Sequence, residues 1–123
     1  MTWMTILAVA GVLGAFVFLK QLNSVTEEAA RDHLRKGAKV IDVRTTQEYG
    51  ERRLPKTINI PLDELKQRIA SEAPDKETVL LLHCQAGGRS GAGTQMLKGM
   101  GYKNVFNLGS FERAEKILGG SGK

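Results

Sequence analysis

The chain has 123 residues, about the size of one ordinary domain, and carries 18 Lys and Arg against 13 Asp and Glu for a net charge of +5. Its single cysteine excludes an internal disulfide, and one Cys with two His provides no zinc-ligand cluster, so no metal and no cofactor is expected. A basic surface attracts anionic small molecules or anionic lipid, but no Lys/Arg block alternates with aromatics, which make up only 6% of the chain, so no nucleic-acid partner is expected.

All the charge lies from Lys20 onward. Thr2 to Leu19 contain no charge and no Pro, and as a helix would span about 27 Å at roughly 1.5 Å per residue, enough for a bilayer core of about 30 Å. A cleaved secretory signal would need a basic start and a small-residue cleavage site, and neither is present. Residues 1–20 are therefore expected to be a retained transmembrane helix touching membrane lipid, and residues 21–123 the folded domain. Ala10-x-x-x-Gly14 and Gly11-x-x-x-Ala15 are small-residue pairs of the kind that let two such helices approach. Lys20, Arg31, Arg35, Lys36 and Lys39 follow the apolar run while none precedes it, which places the domain on the cytoplasmic side of a single-pass topology.

Ser24-Val25-Thr26-Glu27 has capping-box spacing, and Ala29, Ala30, His33 and Leu34 recur on one face as far as Gly37, which predicts a first helix. Lys39 to Val43 reads as a short buried strand. Arg44 to Lys56 holds one helical turn, and a second strand lies near Ile58 to Ile60. Pro61 then suits a helix start, Leu62, Leu65 and Ile69 form an apolar stripe, and Pro74-Asp75 breaks the chain. Thr78 to His83 is the clearest strand, with four consecutive apolar residues as in a sheet covered on both faces. From Ser90 a helix with Ala92, Met96, Leu97 and Met100 on one side runs to Gly101. Its glycines each cost about 1 kcal/mol relative to Ala, so it needs tertiary packing. A strand at Asn104 to Asn107 and a helix from Phe111 to Leu118 follow. Alternating strands and helices give an α/β fold with a central, mostly parallel sheet flanked by helices.

The chemistry concentrates in His83-Cys84-Gln85-Ala86-Gly87-Gly88-Arg89-Ser90, between a central strand and a helix start. Ligands of open α/β sheets bind at the carboxyl ends of strands. Two adjacent glycines let the backbone curl so that N–H groups converge on one point, and the helix dipole adds positive charge there. A thiol so placed ionises below its usual range and becomes a nucleophile, with Arg89 available to an anionic substrate. A buried structural Cys is the competing reading, and the Gly-Gly-Arg loop argues against it. His83, one position earlier on the strand, should point away from the Cys84 side and serve the core or an interface.

The chain resembles the rhodanese homology superfamily in four motifs in register: Ile41-Asp42-Val43-Arg44 with Glu48-Tyr49; Leu54-Pro55-Lys56-Thr57-Ile58-Asn59-Ile60-Pro61-Leu62; Cys84-x-x-Gly87-x-Arg89-Ser90; and Gly101-Tyr102-x-Asn104-Val105-x-Asn107-Leu108-Gly109. The similarity covers about residues 24 to 118. It implies a rhodanese-like fold and a sulfurtransferase in which Cys84 takes a sulfane sulfur from a small anionic donor such as thiosulfate or polysulfide. The sulfur then passes to cyanide, a thiol or a protein acceptor. Cys84 would be catalytic, the backbone of Gln85, Ala86, Gly87, Gly88 and Arg89 would bind the charged sulfur, and Arg89 would orient the donor. Arg44 and Glu48 resemble the family's buried ion pair, and Asp42 would border the site. The chain departs from the family in two places. Arg52-Arg53-Leu54-Pro55-Lys56-Thr57 stands where Gly-His-Ile-Pro-Gly-Ala is frequent, and Phe111 stands in a last helix that often carries Trp.

Two other functions compete. Cysteine phosphatases and arsenate reductases share the His-Cys and Arg pattern, but they place five residues between Cys and Arg, whereas only Gln85 to Gly88 intervene here. A non-catalytic module for partner binding or sulfur sensing at the membrane is the other, since a fold does not fix a function.

Overall fold

In the computed structural model, residues 24–119 are described. The transmembrane helix expected over residues 1–20 lies outside the described residues, and no helix among the described ones is long and apolar enough to cross a membrane. The elements run α1 (Glu27–Arg35), β1 (Lys39–Asp42), α2 (Thr46–Glu51), β2 (Thr57–Asn59), α3 (Leu62–Glu72), β3 (Leu80–His83), α4 (Gly88–Gly99), β4 (Val105–Gly109) and α5 (Phe111–Leu118). The four strands form one parallel sheet in the order β2-β1-β3-β4. The α/β fold with a central parallel sheet is therefore as expected.

Alternation along each strand sends side chains to two separate cores. Ile41, Leu80, Leu82 and Cys84 face one side, where Leu65 and Ile69 of α3 and Leu97 of α4 cover them. Val40 and Leu81 face the other, against Ala30 of α1 and Phe111, Ala114 and Ile117 of α5. Burial on both faces explains why β3 reads as an unbroken apolar run.

Three local expectations change. The N-cap of α1 is Thr26, whose hydroxyl accepts from the Ala29 N–H at 3.1 Å, while Ser24 instead bridges to Asn107 of β4. A reciprocal capping box does exist, at Thr45 and Glu48 of α2. Helix α4 starts at Gly88, two residues early, and buries Ser90, Gly93, Thr94 and Leu97, leaving Ala92 exposed. The reason is close approach: a Cβ on Gly93 would lie 2.9 Å from Leu82 Cδ2 and 3.1 Å from Leu65 Cδ2. The glycine that weakens α4 as an isolated helix lets it sit directly on the sheet.

Candidate active site

Strand β3 ends at His83 and delivers Cys84 to the carboxyl edge of the sheet. The β3–β4 register slips there, so that His83 faces Gly109 instead of Leu108. The Gly109 carbonyl then accepts from the Cys84 N–H at 3.1 Å, and Asn107 Oδ1 accepts from the Gly109 N–H at 2.8 Å. Ala86 bridges to Ser110, and the Phe111 N–H donates to the Gln85 carbonyl at 3.2 Å, so the loop is strapped to the β4–α5 turn. Gly87 turns the chain with φ 97°, a left-handed conformation that costs a side-chain-bearing residue about 1–2 kcal/mol.

The loop closes around the sulfur. Cys84 Sγ accepts from the Gly87 N–H at 3.0 Å and the Ser90 N–H at 3.3 Å, with the Ser90 hydroxyl at 3.4 Å. Cys84 is 1% exposed, and that burial alone pushes its thiol up. The Ser90 hydroxyl, then the N–H groups of Ser90, Gly87 and Ala86, outweigh it and leave the thiol below its ordinary range. The N–H donors are fixed by the helix start and cost nothing to reorganise when the sulfur becomes charged, whereas the Ser90 hydroxyl, also 3.1 Å from the Gly87 carbonyl, turns its proton to the sulfur. Of the residues expected to form the cradle, Gly87 supplies a direct bond and Ala86 contributes through its N–H, while Gln85, Gly88 and Arg89 make no hydrogen bond to the sulfur. Ser90 makes more contacts to the sulfur than any of these. Its place in the Cys84-x-x-Gly87-x-Arg89-Ser90 motif was visible, but its role needed the geometry of the first helical turn.

The charged neighbours pair differently from expectation. Arg44 and Glu48 do not form an ion pair with each other. Arg44 is buried and clamps Asp42, with Nε 3.0 Å from both carboxylate oxygens and an Nη 2.7 Å from Oδ2. Asp42 is thus fully buried behind the sheet and does not border the loop. Glu48 takes Arg89 in a fork, at 2.6 and 3.0 Å, while also closing its capping box to Thr45. The Arg89 guanidinium, then the Thr45 N–H, hold the Glu48 carboxyl down at about 2. Arg89 is therefore already committed to a carboxylate beside the loop.

His83 points to the opposite core from Cys84, as alternation requires. It is fully buried, edge-on to Phe111 and 3.6 Å from Asp42, too far for a hydrogen bond. Neither ring nitrogen has a partner among the described residues, and burial pulls its pKa down against the attraction of Asp42. Phe111 fills the core there, under the guanidinium groups of Arg44 at 4.8 Å and Arg52 at 4.3 Å.

Fold and loop together define a single-sheet α/β protein that holds an ionisable thiol in a ring of backbone donors at the carboxyl edge of its sheet. Residues 26–115 match the model of the Rhodanese-like domain, and the chain belongs to that family. It is 42% identical to the thiosulfate sulfurtransferase PspE of Escherichia coli over 72 residues, 58% of this chain and 69% of that one. Among solved structures it resembles a rhodanese with anions from E. coli, with a TM-score of 0.61 and 39% identity over 63% of this chain and 91% of that one. It also resembles the human single-domain sulfurtransferase TSTD1, with a TM-score of 0.65 and 27% identity over 76% and 96% of the two chains.

Proposed function

We propose that this protein is a sulfurtransferase that carries a sulfane sulfur on Cys84. In the loading step the Cys84 thiolate attacks the outer sulfur of thiosulfate, the donor S–S bond breaks, and sulfite leaves with the electron pair, so that Cys84–S–S⁻ remains. A thiol or cyanide then removes the outer sulfur and regenerates the thiolate. The observation that carries this reading is the convergence of two backbone N–H groups and the Ser90 hydroxyl on a buried Sγ. A ring of donors stabilises the anion before and after loading. A cysteine that is 1% exposed admits only a slender reactant, which suits transfer of one sulfur atom better than enclosure of a tetrahedral phosphate. The similarity to PspE, named as a thiosulfate sulfurtransferase, supports the donor.

The apolar run before Lys20 serves in this reading as a membrane anchor for a domain on the cytoplasmic side, where a free thiol escapes oxidation. The test of the chemistry is intact mass after exposure to thiosulfate alone. The mass rises by one sulfur atom, and Cys84→Ser shows no rise. An unchanged mass in reduced, active protein overturns the persulfide carrier.

A further inference from the structure

Beside the loop lies a cleft of about 390 Å³ lined by Val43, Pro61, Leu62 and Met96, with Thr45, Asp63 and Arg89 at its polar margins. That volume falls within the ordinary range for a small-molecule site, and its walls are mainly apolar. One wall is Val43, the cross-strand neighbour of the cysteine: Asp42 pairs with His83 across β1 and β3, so Val43 and Cys84 are the next residues beyond the two strands, and both belong to the same core, while Cys84 itself does not line the cleft. Thiosulfate, a small dianion, has no use for such walls. The charges at the margin also disfavour an anion, because the Arg89 guanidinium is already forked onto Glu48 and Asp63 is an exposed carboxylate.

We propose that this cleft holds the aliphatic chain of an uncharged alkyl thiol that takes the sulfur from Cys84. The inference rests on the persulfide reading above and names its acceptor class. In the step, the acceptor RSH gives its proton to Cys84–S–S⁻, and the thiolate RS⁻ so formed attacks the outer sulfur of the resulting Cys84–S–SH. The new RS–SH bond forms, the Cys84 S–S bond breaks, and the Cys84 thiolate leaves with the electron pair. The chain of R lies along Val43, Leu62 and Met96 while its sulfur faces the loop.

The experiment uses the full chain loaded with sulfur, its loading checked by intact mass, and follows unloading by ethanethiol, propanethiol, butanethiol and hydroxyethanethiol at matched thiolate concentrations. A buried methylene is worth about 0.8 kcal/mol, so the half-saturation concentration falls about fourfold per added carbon and about 15-fold from ethanethiol to butanethiol. Met96→Gln, at a half-buried position, and Leu62→Ser each bring that ratio towards one. Half-saturation is expressed in free aqueous thiol, so partition of the longer thiols into detergent or lipid distorts neither the wild-type series nor its comparison with the variants. Equal half-saturation across the series in the wild type, or an unchanged ratio in both variants, overturns the acceptor cleft while the persulfide reading stands. Protein that gains no sulfur in the first step overturns the persulfide reading itself.

Discussion

Replacing Ser90 by Ala isolates one of the donors that holds the sulfur's charge. The hydroxyl lies 3.4 Å from Sγ, and the substitution removes it while leaving the Gly87 and Ser90 N–H groups at 3.0 and 3.3 Å. It strands no carbonyl: Gly87 O still accepts from the Gly91 N–H at 3.1 Å, and Gly109 O still accepts from the Cys84 N–H at 3.1 Å. A hydrogen bond to a charged group is worth about 1.5 to 3 kcal/mol, and a long contact to diffuse sulfur belongs at the lower end. At 1.36 kcal/mol per pH unit, the thiol midpoint should rise by about one unit. Since the chain has one cysteine, the difference in thiolate absorbance between each protein and its Cys84→Ser counterpart reports that midpoint directly. Thr94→Ala is the control, because the Thr94 hydroxyl donates to the Ser90 carbonyl at 2.8 Å and makes no bond to the sulfur. A Ser90→Ala midpoint equal to wild type would refute the reasoning and assign the whole effect to backbone amides.

The packing of α4 predicts opposite signs for two glycines: Gly99→Ala, whose Cβ meets open space, raises stability in urea by about 0.5 kcal/mol, whereas Gly93→Ala lowers it by about 1 kcal/mol or more as Leu82 and Leu65 are displaced. Lys56 sits at φ 60° where the family often has Gly, so Lys56→Gly should stabilise by about 0.5 to 1 kcal/mol, the left-handed penalty less the entropy of an unfolded glycine. His83 has a folded pKa lowered from 6.5, chiefly by burial, so the unfolded chain binds its proton more readily and stability falls as the pH drops below about 6.5. His83→Leu should flatten that slope in urea titrations run at successive pH values, and an unchanged slope would assign it to other groups. The cytoplasmic placement proposed for the domain is tested with Lys103→Cys in a Cys84→Ser background, since Lys103 is exposed and Cys84 is not. An impermeant maleimide should label it only after the membrane is permeabilised, and labelling in sealed spheroplasts would reverse the orientation.

Much of the fold was legible because local and global signals agree. The apolar run into His83, the stripe Leu62, Leu65 and Ile69, and the Gly-Gly turn each fit their elements. What misled was competition between equivalent local signals. Ser24-x-x-Glu27 and Thr45-x-x-Glu48 carry the same spacing, and only the second closes a capping box, because β4 claims Ser24 through Asn107. The helical period of α4 shows in its larger apolar residues, whereas its buried face also carries Gly93 and Ser90, which lie against the sheet because they are small. The ion pairs were not legible at all. Arg44 lies two residues from Asp42 and four from Glu48, and Arg89 is 41 residues from Glu48, so only the packed loop decides which carboxylate each guanidinium finds.

That exchange of partners alters how the sulfur's charge must be held. Had Arg44 taken Glu48, Arg89 would be free to face the sulfur as a net cation, and catalysis would lean on a long-range field that salt screens. Instead Arg44 is neutralised by Asp42 behind the sheet, and Arg89 by Glu48 beside the loop. The stabilisation of Sγ falls to short contacts from the Gly87 and Ser90 N–H groups and the Ser90 hydroxyl, all tied to the first turn of α4. Dipoles at hydrogen-bond distance inside a buried loop are screened little by added salt, and in the proposed cycle they act equally on the resting thiolate and on the thiolate that departs when the persulfide is unloaded. Alternation on β3 completes the separation, sending the Asp42, Arg44 and His83 group to one core and the sulfur to the other. The sheet thereby keeps its buried charges apart from the one atom whose charge changes in the proposed reaction.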